Sequence, residues 1–457
     1  MEDEFEEIDE EIEIDENIKK DPYNYICNYY ESLLPFIGKK VFSILSLVPV
    51  SLIIPKIPRG KKKIKQKINL LLLSSPGSGK SSIAEEFEKI TYFPLSTKKI
   101  TPARLYHEIK KRADGKLSLI IEDIAEIFSD DVLIKLLEGI LGEEGSISRD
   151  TMRNIKDEET KKKIDAIAYL SGTPENIAEK RIRDGLLMRT SPQIIFYSLE
   201  EHKKILDFVA DSMGKIEKNI TQNNIKGFYR DLYKIQDGTH DSLSPIEGYI
   251  IPKEINDEVK LFIQPLVEPI FLRWGISNVR ELEEMYRFMC AYSFLNIYNR
   301  EIKENKLVIT KEDLEVAKKL IKRELRTKNI ILSCIERVDY YNIKTRQQLR
   351  EWEEKVRRIE KKEIPQEAKF IMDGMVKWFQ KKQEKQTEDS YYSFWFWYKK
   401  RRLCGDKEDK MIRKEYSKKY YQEHKNYFRE YYLNNINKIK ENVRRINPLI
   451  PLPPSNL

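Results

Sequence analysis

Between residue 68 and about residue 200, short apolar runs alternate with amphipathic stretches, a pattern that predicts a mainly parallel sheet with crossover helices. The candidate strands are 68–74, 117–122, 166–171 and 193–197, and each ends at a polar cluster. In open α/β sheets ligands bind beyond the carboxyl ends of the strands, so these clusters are expected to converge on one site. Upstream, residues 21–55 read as helix with Pro49 marking a break, followed by a basic linker, ProArgGlyLysLysLysIleLysGlnLys, at 58–67. Downstream, 309–321 has the period of a helix: Thr310 is placed to cap it, Asp313 fits the box position, and Leu314, Ala317 and Leu320 share one apolar face. Near the C-terminus, Tyr416, Tyr420, Tyr427 and Tyr431 recur near a helical period, which reads as a core or partner face before it reads as a base-stacking platform. The chain ends in an extended ProLeuIleProLeuProPro run, either a docking peptide or a disordered end.

Composition divides this picture. A chain of 457 residues, 40% hydrophobic, has room for two or three domains. Its net charge of +8 conceals a split, because eleven Asp or Glu and no Lys or Arg fall in the first seventeen residues, and setting these aside raises the remainder to +19. A basic body suits a polyanionic partner such as nucleic acid; the acidic run is a solubilising tail or a competitor for the same basic surface. Cys27, Cys290, Cys334 and Cys404 form no CxxC pair, so neither a zinc ribbon nor a disulfide framework is encoded. The most apolar stretch, 41–54, is too short to span a bilayer, and the acidic N-terminus lacks the basic region of a signal peptide. The expectation is a cytoplasmic protein without membrane association.

The first strand runs into SerSerProGlySerGlyLysSerSer at 74–82, a nucleotide-phosphate cradle. Gly77 and Gly79 let the backbone turn its N–H groups inward, Lys80 can reach the β and γ phosphates of ATP, and the Ser81 hydroxyl can ligate Mg2+. Ser75, Pro76, Ser78 and Ser82 complete the loop, and the following helix, from about Ser82 to Lys89, turns the positive end of its dipole to the same anion. The motif departs from GxxxxGK[ST] at Ser74; the alternative is a Gly/Ser turn of no function. The second strand ends in Glu122 and Asp123, candidates to hold the metal and polarise a water, in the reverse of the usual order. Thr173 stands at the tip of the third strand, where it can align that water or simply make a turn before Pro174.

In their order, these features together with GlyLeuLeuMetArg at 185–189 resemble an AAA+ ATPase, and within that superfamily the minichromosome maintenance (MCM) helicases and their relatives in archaeal mobile elements. LeuLeuMetArg resembles the arginine-finger motif, which makes Arg189 the candidate finger, although Thr190 and Ser191 replace the Phe and Asp that usually follow. ValArgGluLeuGluGluMetTyrArgPheMetCysAlaTyr at 279–292 resembles the helix carrying sensor 2, which falls on Arg280. The ArgGly at 59–60 loosely fits the lead-in, and the likeness covers roughly residues 30–325. Two features depart from the family: Thr173 stands where it usually has Asn, and the large N-terminal DNA-binding region of cellular MCM proteins has no counterpart before the P-loop.

Residues 142–154 resemble the presensor hairpin that grips single-stranded DNA, which would make Arg149 and Arg153 DNA contacts, with Lys161, Lys162 and Lys163 extending the patch. The same stretch also reads as a solvated loop. Residues 391–446 hold sixteen Lys or Arg among fourteen aromatics, a composition suited to single-strand binding. The expected fold is thus α/β: an acidic disordered tail (1–20), a P-loop AAA+ core with helices on both faces of the sheet (21–215), a helical lid (216–330) and a basic helical C-terminal region (331–457). The expected function is MCM-like: Mg2+-dependent ATP hydrolysis in a homo-oligomer, a hexameric ring by analogy, coupled to DNA translocation or unwinding. The alternatives are an initiator or loader that switches without unwinding, and a protein-remodelling ATPase.

Overall fold

The computed structural model describes residues 14–59, 62–97, 100–112, 115–124, 131–142, 164–178, 187–197, 199–212, 220–274, 278–338 and 366–384. Residues 1–339 with 350–379 form one compact unit, and 340–349 with 380–457 a second. Arg149, Arg153, Lys161 to Lys163, the tyrosine stripe and the Pro-rich end lie outside the described residues.

The α/β expectation holds at its coarse level: a five-stranded, wholly parallel sheet is flanked by helices. Its strands are β3 (Leu70–Ser74), β4 (Pro94–Thr97), β5 (Lys116–Ile121), β6 (Asp165–Gly172) and β7 (Ser191–Ile195), arranged β4-β5-β6-β3-β7. Leu70 to Leu73 are fully buried, as a continuous apolar run covered on both faces requires. All four candidate strands are present, but β4 is an addition. Its opening Pro94 and half-exposed residues hide it, and both features suit the edge position it occupies.

Helices α1 (Glu16–Lys20), α2 (Pro22–Leu33), α3 (Lys39–Leu45) and α4 (Val48–Ile53) precede the sheet. Residues 16–20, expected to belong to the acidic tail, instead form α1: Asp15 caps it, and its Ile18 is buried. Pro49 marks a break as expected: α3 ends at Leu45 and α4 begins at Val48, with the proline in its first turn, where its missing N–H costs nothing. The stretch read as a basic linker is instead partly an antiparallel ribbon of β1 (Ile57–Arg59) and β2 (Lys62–Ile64). Pairing accounts for it, because Lys65 and Lys67 near its end turn inward to Asp165.

After α5 (Lys80–Ile90), α6 (Pro102–Lys111), α7 (Asp131–Leu141) and α8 (Leu199–Ser212) come the long helices α9 (Ile220–Asp237), α10 (Lys253–Trp274), α11 (Asn278–Leu295) and α12 (Lys311–Val338). This region is not wholly helical, since β8 (Gly248–Ile250), β9 (Ile302–Lys303) and β10 (Lys306–Val308) form a small sheet ordered β8-β10-β9. The box at the start of α12 forms as read: Thr310 Oγ1 accepts from the Asp313 N–H at 3.4 Å, and Asp313 Oδ2 accepts from the Thr310 N–H at 2.7 Å. Leu314, Ala317 and Leu320 are buried. The helix continues past the boundary expected at 330, and Cys334 Sγ donates to the Ala368 carbonyl in α13 (Gln366–Glu384) at 3.4 Å.

Candidate nucleotide site and the opposite edge of the sheet

The loop after β3 is shaped by two glycines in the left-handed region, Gly77 at φ +75° and Gly79 at φ +84°, conformations that strain any residue with a Cβ. Gly79 is the N-cap of α5 and supplies no side chain to the first turn, whose N–H groups are left for an anion. Ser74, the departure from the motif, is buried, and its hydroxyl lies 2.5 Å from that of Ser78, closing the neck of the loop from inside. Tyr197, just past β7, fixes the same turn by donating to the Ser78 carbonyl at 3.1 Å. Ile37, in the turn before α3, lies over Gly79, where an added Cβ would meet its Cδ1 at 3.4 Å. Sequence reading missed Tyr197 and Ile37 because both come from distant segments.

Lys80 Nζ donates to the carbonyls of Ser74 at 3.2 Å and Gly172 at 3.3 Å, so its ammonium lies between the exits of β3 and β6. Burial lowers its pKa, and the negative charge of Asp123, just past β5, opposes that lowering. Glu122 is tied in by its backbone: Ser171 Oγ donates to its carbonyl. Its carboxylate adds to the burial that raises the Tyr169 pKa, and the Tyr169 hydroxyl donates to the Lys80 carbonyl at 2.9 Å. Because β6 lies between β3 and β5, Thr173 stands between the loop and the acidic pair. Ser75 is half-buried, whereas Pro76, Gly77, Ser81 and Ser82 face solvent. The structure thus gathers Ser75 to Ser82, Glu122, Asp123 and Thr173 at the carboxyl edge of the sheet.

It does not bring Arg189 there. Arg189 ends a single 3₁₀ turn two residues before β7, and the register pairs Ser191 with Leu70 and Ile195 with Ser74. At about 3.3 Å per residue, most of a strand, roughly 15 Å, separates it from the P-loop. Asn69 anchors this amino edge: its Nδ2 donates to the Arg189 carbonyl at 2.9 Å and its Oδ1 accepts from the Ala168 N–H at 3.0 Å. The Arg189 guanidinium is half-buried, its pKa lowered by burial and then by Arg280, with Glu138 opposing. Arg189 Nε lies 3.8 Å from where a Cβ on Gly142 would be. Arg280 is in the first turn of α11, and Glu284 one turn further on lies 3.4 Å from the Ser191 hydroxyl, so Arg280 belongs to the same edge as Arg189.

Lys67 completes the edge. Its buried Nζ donates to the Ile140 carbonyl at 3.0 Å and to those of Gly142 at 3.5 Å and Ile164 at 3.4 Å, which draws residues 142 and 164 together. Burial and Lys65 push its pKa down to about 7, against the pull of Asp165.

No protein-family model matches the chain, and no curated protein matches it. No helix among the described residues is long and apolar enough to cross a membrane.

Proposed function

We propose that the chain is an AAA+ ATPase of the MCM-like kind, which hydrolyses ATP at sites shared between copies and couples hydrolysis to translocation along DNA or its unwinding. The observation that carries this reading is the division of one sheet: a glycine loop running into an uncapped helix at its carboxyl edge, and Arg189 and Arg280 at its amino edge.

The fit to ATP and Mg2+ rests on the donor set. The uncapped first turn of α5 and the Lys80 ammonium, now occupied by carbonyls, suit phosphate oxygens, while the Ser81 hydroxyl, Glu122 and Asp123 supply hard oxygen ligands. Bound there, the ion would supply positive charge beside the phosphates. Lys80 exchanges its carbonyl partners for phosphate and neutralises charge that builds in the transition state. Thr173 and the acidic pair align the attacking water, and Asp123 and Glu122 can accept its proton. Arg189 lies too far from its own loop to act in cis, so it serves the site of a neighbour and the protein works as an oligomer.

Strand-displacement and DNA-stimulated ATPase assays on the wild type and Arg149→Ala test the reading. Stimulation and displacement by the wild type, both weakened in the variant, are expected. Absence of DNA stimulation would sink the motor; stimulation without displacement would point to an initiator or loader.

A further inference from the structure

Behind the arginine edge lies a buried ionic network that the proposed chemistry does not use. On α11, Glu281 is 0% exposed and Glu283, Glu284 and Arg287 are buried; on α12, Glu324 is 0% and Lys328 2% exposed. Lys328 Nζ sits 3.1 Å from Glu281 Oε1 and 2.5 Å from Glu324 Oε1. The Ser191 hydroxyl, at the first residue of β7, donates to Glu324 Oε2 at 2.6 Å and lies 3.4 Å from Glu284 Oε1. Arg287 pairs with Glu284 at 2.5 Å and donates through Nε to the Lys65 carbonyl at 3.1 Å, and Arg59 of β1 pairs with Glu283.

A buried network of this size is a poor source of stability, since apolar residues of similar volume commonly do as well. Its placement suggests what it does instead. Glu281 directly follows Arg280, and Ser191 is two residues after Arg189. The α12 pair therefore grips, through one ammonium and one carboxylate, both segments that carry an arginine. Burial first and Arg280 second lower the Arg189 pKa, and the anchors from α12 hold the two like-charged segments in place.

We propose that Glu324 and Lys328 are positioning residues that fix Arg189 and Arg280 as one unit, presented by the helices and the sheet together to the neighbouring copy. This rests on the shared-site reading above. The role is distinct from fold maintenance because it predicts damage to a neighbour's site and none to the subunit's own.

The test uses full-length protein carrying Ser191→Ala, Glu324→Gln, Glu324→Leu or Lys328→Met, each assayed alone and in an equimolar mixture with Lys80→Ala. Ser191→Ala removes one hydroxyl and leaves every charge in place, so it keeps the question answerable if the charge variants fail to fold. Alone, Ser191→Ala and Glu324→Leu are expected to lose about tenfold or more in kcat with little change in KM for ATP, as small misplacements of a catalytic group do. Glu324→Gln, which keeps the shape and an acceptor for Ser191, is expected to retain most activity. Mixed with Lys80→Ala, Ser191→Ala should regain activity, since its intact loop can meet a well-positioned arginine pair. Unchanged kcat in Ser191→Ala, or a loss that mixing leaves unrepaired while Arg189→Ala is repaired by the same partner, would overturn the inference alone. Failure of that Arg189→Ala control would overturn the shared-site reading and this inference with it.

Discussion

The two edges of the central sheet handle charge in opposite ways. At the carboxyl edge, positive character comes from backbone N–H groups and a single lysine, in a loop whose glycines and solvent-facing serines leave room for a ligand. At the amino edge, whole side-chain charges are buried, and counter-ions from α11, α12 and β1 balance them. The first edge leaves donors open to solvent; the second ties its charges to one another through ion pairs. Most of a strand lies between them, which is why the proposed shared site calls on the loop of one copy and the arginines of another.

The largest effects should come from cutting either edge at its centre. Lys80→Ala and Arg189→Ala are each expected to lower kcat by about a thousandfold, the scale at which charge-stabilising groups act in phosphoryl transfer. Steady-state ATP hydrolysis reads this, and retained turnover in Lys80→Ala would overturn the assignment of the loop itself. Lys328→Met should then be the most costly change to stability, about 3–5 kcal/mol, because it leaves Glu281 and Glu324 buried without their cation. Denaturant unfolding measures it. Gly79→Ala should cost about 1–2 kcal/mol through its left-handed backbone, with loss of nucleotide binding seen by titration with a fluorescent ATP analogue.

A pH dependence sharpens the comparison further. Burial raises the Glu324 pKa from its ordinary 4.5 to about 8, against the pull of Lys328, with Glu284 and Glu281 adding to the rise. The folded state then holds more protons than the unfolded one between these values. Its contribution to stability is complete below pH 4.5 and lost as pH rises through 8. The stability of the wild type minus that of Glu324→Gln should accordingly fall across this window, by no more than about 1.4 kcal/mol per pH unit. A flat difference would mean that Glu324 is ionised throughout.

The edges also differ in how far the sequence exposes them. The carboxyl edge is encoded locally: a run of leucines, two glycines and a lysine in one stretch, then acids or a threonine directly after apolar runs. Period and composition are enough to find these. Asp123, just past β5, and Thr173, just past β6, stand where the strand ends imply. The amino edge is assembled from single residues far apart in the chain. Glu284 and Arg287, or Glu324 and Lys328, have the spacing of ordinary surface pairs on a helix, and only tertiary packing turns them inward. Lys65 and Lys67 read as linker charge for the same reason: nothing nearby announces that Asp165 and three carbonyls will meet them. Strand β4 escaped detection because a half-exposed edge strand opening with proline has neither the apolar run nor the alternation that marks a strand.

The shared site is the centre of the account, and complementation tests it most directly. Lys80→Ala and Arg189→Ala proteins, each inactive alone, are mixed in equal amounts and assayed for ATP hydrolysis. The account predicts that activity returns, because the loop of one can meet the arginine of the other. A mixture as inactive as its components, with both variants folded and co-assembled, would contradict it.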